Sequence, residues 1–287
     1  MRVFEALAAA SEELTQHAVV NSRVDAEILL AQSLGKTRSS LLAHHRDEVD
    51  ESLGRVFFAR VRERCRGKPL QYILGQQEFR GLLFEVSPAV FIPRPETEFV
   101  VEAALEHLED GSLKLADVGT GSGCLAVSLA VALPRTRVWA TDLSEAALEV
   151  ARRNAARHGV GREITFMQGD LLKPLVPRLG EGQLDAVVSN PPYVGPEELS
   201  GLQKEVRDWE PRLALVGEEG APSLYARLLS QAHAGLRPGG VLIVEIGYSM
   251  QEAVCGLLGD GWELLGVTDD LNGIPRVVSA RRVARGK

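Results

Sequence analysis

The sequence Leu-Asp-Ala-Val-Val-Ser-Asn-Pro-Pro-Tyr, residues 184–193, predicts a buried strand that ends in a stiff polar turn. The apolar run at 184–188 is bounded by Gly182 and by two prolines, which is typical of a central strand in a parallel sheet. Because proline has no N–H group to donate, the hydrogen-bond ladder of this strand must stop at Asn190. Ligands of open α/β sheets bind at the carboxyl ends of the strands, so the turn is expected at a binding site.

The residue types of this turn suit a planar amino or amide group. The side-chain oxygen of Asn190 and the carbonyl of Pro191 are two acceptors on a rigid backbone, and together they can accept both N–H bonds of such a group. This arrangement aims the nitrogen lone pair at an electrophile, while Tyr193 covers the planar face. An ordinary strand-ending turn is the alternative, but the full tetrapeptide after such a strand favours a functional site.

Strands and helices alternate in the sequence after residue 110, which predicts a doubly wound sheet. Strands are expected at 113–118, 137–141, 164–167, 186–189, 241–246, 264–268 and 276–280. The last two have no room for a helix between them and must therefore pair antiparallel. The predicted fold class is α/β: a mostly parallel, doubly wound, seven-stranded sheet with an antiparallel last strand, preceded by a small all-helical domain and a β-hairpin.

The chain is predicted to divide into a helical domain at 1–70, a β-hairpin linker at 71–94 and the α/β domain at 95–287. Apolar residues of the first domain recur at helical spacing, namely Val24, Ile28, Ala31 and Leu34, and then Leu53, Val56, Phe57 and Val61. Alternation over 79–86 predicts the hairpin. Basic residues between 55 and 68 are expected on a solvated helix face, with contact to RNA or to an acidic partner as the alternative.

A glycine-rich loop after the first predicted strand indicates a cofactor site, formed by Gly119, Thr120, Gly121, Ser122 and Gly123. The dinucleotide fingerprint needs a glycine at its sixth position, where this chain has Cys124, and the lysine of a phosphate-binding loop is absent. With Asp117 at the end of the strand, the loop suits a zwitterionic or cationic cofactor better than a phosphate. Cys124 itself is expected to be a packed small residue.

Acidic residues follow the next two predicted strands. Asp142 is placed to accept from both hydroxyls of a ribose, while Ser144 is the better candidate for the cap of the following helix. With the ribose on Asp142, an adenine would lie near Asp170 and Leu171. Asp170 would accept from its exocyclic amine, and the N–H of Leu171 would reach a ring nitrogen.

Composition limits the possible classes of protein. The 287 residues are 45% hydrophobic and 25% charged, as in a globular protein, and no apolar run is long enough to span a membrane. The three cysteines are widely spaced, which favours a reducing cytoplasm and no disulfide framework. The histidines show no metal-binding spacing, so no metal is expected. A net charge of −7 argues against a large nucleic-acid footprint, and no stable nucleic-acid complex is expected.

Together these motifs resemble the class I S-adenosylmethionine-dependent methyltransferases. More narrowly, the chain resembles the PrmC/HemK family of protein-glutamine N5-methyltransferases, on Phe-Ile-Pro-Arg-Pro-Glu-Thr-Glu at 91–98, Asn-Pro-Pro-Tyr at 190–193 and the helical amino-terminal domain. The resemblance implies methyl transfer from S-adenosyl-L-methionine to the glutamine of the Gly-Gly-Gln motif in class I peptide chain release factors, with S-adenosyl-L-homocysteine as by-product. It makes 95–287 the methyltransferase domain. A separate hypothesis is that the helical domain at 1–70, with the hairpin, docks the release factor away from the catalytic turn.

The resemblance also implies roles for single residues. Asn190 and the Pro191 carbonyl would hold the substrate amide, and Asn190 would also border the cofactor. Pro192 would shape the turn, Tyr193 would pack against the amide, and Phe91 would lie beside the site. No general base is expected, and nothing in the sequence requires more than a monomer.

Two other functions stay open at this point. Asn-Pro-Pro-Tyr is shared with adenine-N6 and guanine-N2 methyltransferases, so a nucleic-acid base methyltransferase is one alternative. A cofactor-binding, ribosome-associated interaction module without catalysis is an alternative of another class. A nicotinamide oxidoreductase is disfavoured by the glycine spacing.

Overall fold

A computed structural model of the chain describes residues 1–217 and 220–283 and divides into two units. The first unit combines Met1–Gly75 with Gln203–Trp209, and the second combines Gln76–Leu202 with the described residues from Glu210 onward. The helices are α1 (Val3–Gln16), α2 (Ser22–Ser33), α3 (Arg38–Ala43), α4 (Glu51–Cys65), α5 (Leu70–Leu74), α6 (Glu98–His107), α7 (Cys124–Ala132), α8 (Glu145–Arg157), α9 (Val176–Leu179), α10 (Lys204–Trp209), α11 (Arg212–Leu215), α12 (Ala221–Gly235) and α13 (Gln251–Gly256), with 3₁₀ turns at Pro95–Thr97 and Glu198–Gly201. The strands are β1 (Gln76–Phe79), β2 (Leu82–Glu85), β3 (Lys114–Val118), β4 (Arg137–Asp142), β5 (Ile164–Gln168), β6 (Leu184–Ser189), β7 (Leu236–Glu245), β8 (Trp262–Asp269) and β9 (Pro275–Arg282).

The first unit is helical, but its buried faces differ from those predicted. Val24, Leu53 and Val56, expected to face inward, are 36%, 37% and 45% exposed. Helix α4 buries Phe57 and Val61 as predicted, and it buries Gly54 in addition. A glycine allows close packing yet carries no apolar side chain, so a pattern of large apolar residues misplaces the buried stripe.

A buried ion-pair cluster ties the late segment Gln203–Trp209 into this unit. Arg64 is 12% exposed and donates to the carboxylates of Asp25 at 2.8 Å and Glu205 at 2.6 Å, and to the carbonyl of Lys68 at 3.0 Å. Burial lowers the pKa of Arg64, but the hydrogen bond to Asp25 and the charge of Glu205 outweigh it and raise the pKa overall. The basic run is therefore not one solvated face, although Arg62 and Arg66 are exposed as expected.

The second unit is a seven-stranded sheet with the order β5-β4-β3-β6-β7-β9-β8. All neighbours are parallel except β9, which is antiparallel to both β7 and β8. The predicted α/β fold class is thus confirmed, and the closing pair forms as expected. The antiparallel strand is the last in the sequence, but it lies inside the sheet, so β8 is the edge strand.

Helices cover both faces of this sheet, because successive side chains of a strand point to opposite sides. Leu115 of β3 packs with α6 and α7 on one face, whereas Ala116 packs with α12 on the other. The predicted hairpin is present as β1 and β2, and Phe79 and Phe84 contribute to the first of these cores. No helix in the described ranges has the length and apolar character that crossing a membrane requires.

Candidate active site

The carboxyl ends of four neighbouring parallel strands meet at one edge of the sheet. Val118 of β3 pairs with Thr141 of β4 and with Ser189 of β6, and Ser189 pairs in turn with Val244 of β7. The residues that follow these positions are the glycine loop, Asp142, Asn190 and Glu245. Parallel pairing therefore brings three predicted site segments and one unpredicted carboxyl group side by side.

The glycine loop is held open by backbone hydrogen bonds. The N–H groups of Gly119 and Thr120 donate to the carbonyl of Thr141 at 2.8 and 2.9 Å. Gly119 and Gly121 have positive φ angles of 71° and 56°, and a Cβ added at either would meet nothing closer than 4.0 Å. Open space thus faces the loop, as a bound ligand requires.

Gly123 closes the same loop by close packing. A Cβ at Gly123 would lie 3.1 Å from the Cβ of Ala151 in α8, and its φ is 82°. This contact brings α7 and α8 together and fixes where α7 begins, at Cys124. The Cys124 thiol is buried, and burial raises its pKa to about 12, which confirms the expected packed residue.

Asp142 links the loop to the end of β4. Its Oδ2 accepts from Gly121 N–H at 2.9 Å and its Oδ1 from Ser144 N–H at 2.9 Å. Ser144 caps α8 by accepting from Ala147 N–H at 3.2 Å, as predicted. Burial raises the pKa of Asp142. Each carboxylate oxygen has a second lone pair, so the contact to ribose hydroxyls is stereochemically open and stays a prediction.

Asp170 and Leu171 lie in the strained turn after β5. Burial raises the pKa of Asp170, but hydrogen bonding to Lys173 and the charge of Arg227 hold it below its usual value. Lys173 Nζ lies 2.6 Å from the carboxylate. Leu171 has a φ of 50°, rare for a residue with a side chain and common at ligand sites. The adenine contacts assigned to both residues stay predictions.

The turn at 190–193 carries a defined amide orientation. Asn190 Nδ2 donates to the hydroxyl oxygen of Thr97 at 3.0 Å, which leaves Asn190 Oδ1 as the free end of the amide. Pro191 is buried, and Pro192 and Tyr193 are half-buried. The ring of Tyr193 lies so close to Gly247 that a Cβ there would come within 2.9 Å of it. Burial raises the pKa of Tyr193, so its hydroxyl stays protonated.

Glu245 and Thr97 are site residues to which the sequence assigned no role. Both are 2% exposed, and Glu245 ends β7 beside Asn190. Burial raises the pKa of Glu245 to about 7, against a hydrogen bond from Thr97 and the charge of Arg276. Its Oε2 has no hydrogen-bond partner among the described residues. An acid at the end of a strand next to the turn is the signal that could have identified it.

The segment that carries Phe91 and Thr97 is anchored by Glu210. Glu210 is buried and accepts from Ile92 N–H at 3.2 Å and from the guanidinium of Arg94. The Arg94 guanidinium also lies 4.6 Å from the centre of the Phe91 ring. These contacts fix the segment that delivers Thr97 to Asn190. The covering role of Phe91 stays a prediction.

Comparison with known proteins covers both units. Residues 5–75 match the family described as PrmC N-terminal domain, and residues 85–205 match the methyltransferase small domain. The chain is 46% identical over 256 residues to the release factor glutamine methyltransferase of Moorella thermoacetica, covering 88% of each protein. It is 41% identical over 283 residues to that of Koribacter versatilis, covering 98% of this chain and 99% of the relative. A solved methyltransferase from Pyrococcus furiosus has the same fold, with a TM-score of 0.51 at 19% identity over 72% of this chain and 91% of its own.

Proposed function

The chain belongs to the release factor glutamine methyltransferase family, and we propose that it transfers a methyl group from S-adenosylmethionine to a release factor glutamine. The acceptor is the side-chain amide nitrogen (N5) of the glutamine in the Gly-Gly-Gln motif of class I peptide chain release factors. The observation that carries the proposal is the pairing of β3, β4 and β6, which sets the glycine loop and Asp142 beside the acceptors at 190–191.

The residues at this edge fit S-adenosylmethionine, which when bound supplies a methyl group already activated on a sulfonium. The space before Gly119 and Gly121 is open. Asp142 keeps free lone pairs for hydroxyls, and no lysine stands in the loop to demand a phosphate. The cofactor would be held by Gly119, Thr120, Gly121, Ser122, Gly123, Asp142, Asp170, Leu171 and Asn190.

The chain's own task is to hold and desolvate a weak nucleophile. An amide nitrogen reacts poorly because its lone pair is delocalised into the carbonyl. Asn190 Oδ1 and the Pro191 carbonyl would accept its two N–H bonds, which favours the pyramidal nitrogen of the transition state. Tyr193 packs over the amide and excludes water. No group here needs to act as a base before transfer, and the surplus proton leaves the product nitrogen afterwards.

Mass analysis of a purified class I release factor tests the proposal directly. After incubation with the protein and S-adenosylmethionine, one methyl group should appear on the Gly-Gly-Gln glutamine. DNA and ribosomal RNA incubated in parallel with labelled methyl donor should stay unlabelled. Label found only in nucleic acid would replace the substrate with a base and overturn the proposal.

Asn190→Ala should lower kcat by about a hundredfold to a thousandfold, the usual effect of removing one positioned hydrogen-bonding group from a transition state. Its affinity for S-adenosylmethionine, measured by calorimetry, should stay within a few fold, because the glycine loop and Asp142 are unchanged. Near-normal turnover by this variant would contradict the role given to the turn.

We further propose that residues 1–70 dock the release factor. We also propose that the protein acts as a monomer in the cytoplasm, where translation takes place. Docking outside the catalytic turn predicts a higher kcat/KM for the intact factor than for a short peptide containing Gly-Gly-Gln. Equal values on the two substrates would count against docking.

A further inference from the structure

We propose that Thr97 and Glu245 are positioning residues that hold the amide of Asn190 with its oxygen toward the substrate. The inference rests on the proposed function and deepens it, because neither residue needs to touch substrate or cofactor. Asn190 presents an acceptor in this orientation, which suits the N–H bonds of glutamine. In the opposite orientation it would present a donor, which suits a carboxylate.

The proposed arrangement of Asn190, Thr97 and Glu245 is called the relay below. Ser189 pairs with Val244, so Asn190 and Glu245 leave the ends of β6 and β7 side by side. Thr97, at the end of the 3₁₀ turn before α6, lies 3.0 Å from Asn190 Nδ2. Thr97 and Glu245 are both 2% exposed, so water does not reach the Thr97 end of the hydrogen bond with Asn190.

The chemistry of a hydroxyl gives the relay its direction. The Thr97 oxygen accepts from Asn190 Nδ2, and the hydroxyl proton is then free to be donated. The acceptor that we infer for this proton is the carboxyl of Glu245, because hydrogen bonding from Thr97 is among the effects that lower the pKa of that carboxyl. An ionised Glu245 can only accept, which forces Thr97 to accept from Asn190 and the Asn190 oxygen to face outward. A protonated Glu245 can donate, and the amide then loses this constraint.

The charge of Glu245 is set by its surroundings on several elements. The groups that face it are Arg276 on β9, Arg94 and Glu96 before α6, Tyr193 after β6, Tyr225 on α12, and Cys124 on α7. Arg276 and Arg94 favour the ionised form, while burial and Glu96 oppose it. Activity should therefore rise with pH through the titration of Glu245 and level off above it.

Thr97→Val keeps the shape of the side chain and removes the hydroxyl. We expect kcat on the release factor to fall by about tenfold to a hundredfold, with the KM for S-adenosylmethionine unchanged. Thr97→Ser should restore most of the rate. The matched control is Thr136→Val, since Thr136 is 1% exposed and its hydroxyl has no hydrogen-bond partner among the described residues. This control should leave kcat at the wild-type value.

Two readouts separate positioning from a general structural role. In the Asn190→Ala background, Thr97→Val should change kcat less than twofold, because a positioning residue has no effect once its target is gone. Glu245→Gln should lose the rise of kcat with pH. Additive losses in the double variant, or a pH profile unchanged in Glu245→Gln, would overturn the inference.

A measurement without substrate distinguishes failure of the inference from failure of the proposed function. In ¹⁵N-labelled protein, the side-chain NH₂ signals of Asn190, identified by their loss in Asn190→Ala, should be protected from solvent exchange. Thr97→Val should abolish that protection, and Thr136→Val should not. If the wild type fails to methylate release factors, the function falls while this result still tests the orientation. Equal protection in Thr97→Val would refute the relay.

Discussion

Asp117 offers a quantitative test of the electrostatics beneath the glycine loop. It is fully buried at the end of β3, and its Oδ2 accepts from the Thr120 hydroxyl at 2.6 Å and from Ala126 N–H at 3.1 Å. Its Oδ1 has no hydrogen-bond partner in the described part of the chain. Burial, with a smaller effect from the charge of Asp142, raises the pKa of Asp117 from 3.8 to about 7.

The sign of the effect follows from proton linkage. The folded chain keeps the proton of Asp117 between pH 3.8 and about 7, where the unfolded chain has lost it. The free energy of unfolding therefore falls as the pH rises through this window. The full shift corresponds to about 4 kcal/mol, of which about 2.5 kcal/mol develops between pH 5 and pH 8.

Asp117→Asn should remove this dependence. The amide oxygen can still accept from Thr120 and Ala126, but the residue no longer titrates. Urea unfolding at several pH values, with m-values checked for constancy, should show the variant gaining about 2.5 kcal/mol relative to the wild type from pH 5 to pH 8. Glu245 is present in both proteins, so its contribution to the pH dependence cancels in the difference between their free energies of unfolding. Parallel curves for the two proteins would refute the reasoning.

Two further predictions concern stability alone. Gly123→Ala should lower the free energy of unfolding by about 2–4 kcal/mol, since strain at positive φ adds to the 3.1 Å contact with α8. Gly119→Ala has open space at its Cβ, so backbone strain alone should lower its free energy of unfolding, by about 1 kcal/mol. Equal losses in urea unfolding would contradict this. Arg64→Ala leaves the buried Asp25 carboxylate unpaired and should lower the free energy of unfolding by about 3–5 kcal/mol. Arg55→Ala, in an exposed pair, should lower it by less than about 1 kcal/mol. A small loss in Arg64→Ala would show that the cluster is not tightly packed.

The sheet could be predicted from the sequence because its parallel strands contain short apolar runs bounded by turn residues. The end of β6 is fixed by the prolines at 191–192, and the ends of β3 and β4 are marked by Gly119 and Asp142. Parallel pairing then brings these strand ends together, because the carboxyl ends of parallel strands lie at one edge of the sheet. The architecture of the site follows from local signals of this kind.

The relay at Asn190 could not be predicted in the same way. Thr97 and Glu245 reach Asn190 only through the packing of distant segments. The strand-end position of Glu245 marks it as a candidate site residue, but it does not indicate Thr97 or Asn190 as its neighbours. The burial of Gly54 on α4 was missed for a related reason, because the atoms nearest to it belong to Val49 and Met1, which precede the helix in the sequence. The joining of Gln203–Trp209 to the first unit likewise depends on Arg64, whose partners lie far apart in the sequence.

The position of β9 inside the sheet has a consequence for synthesis of the chain on the ribosome. After β3, strands β4 to β7 emerge in order, and each finds a partner strand already made. β8 emerges next but pairs only with β9, and the outer edge of β7 also waits for β9. Until that strand leaves the exit tunnel, one flank of a nascent, largely formed sheet presents bare backbone donors and acceptors. In the final step of assembly β9 is therefore inserted between β7 and β8, and it pairs the exposed backbone groups of both strands.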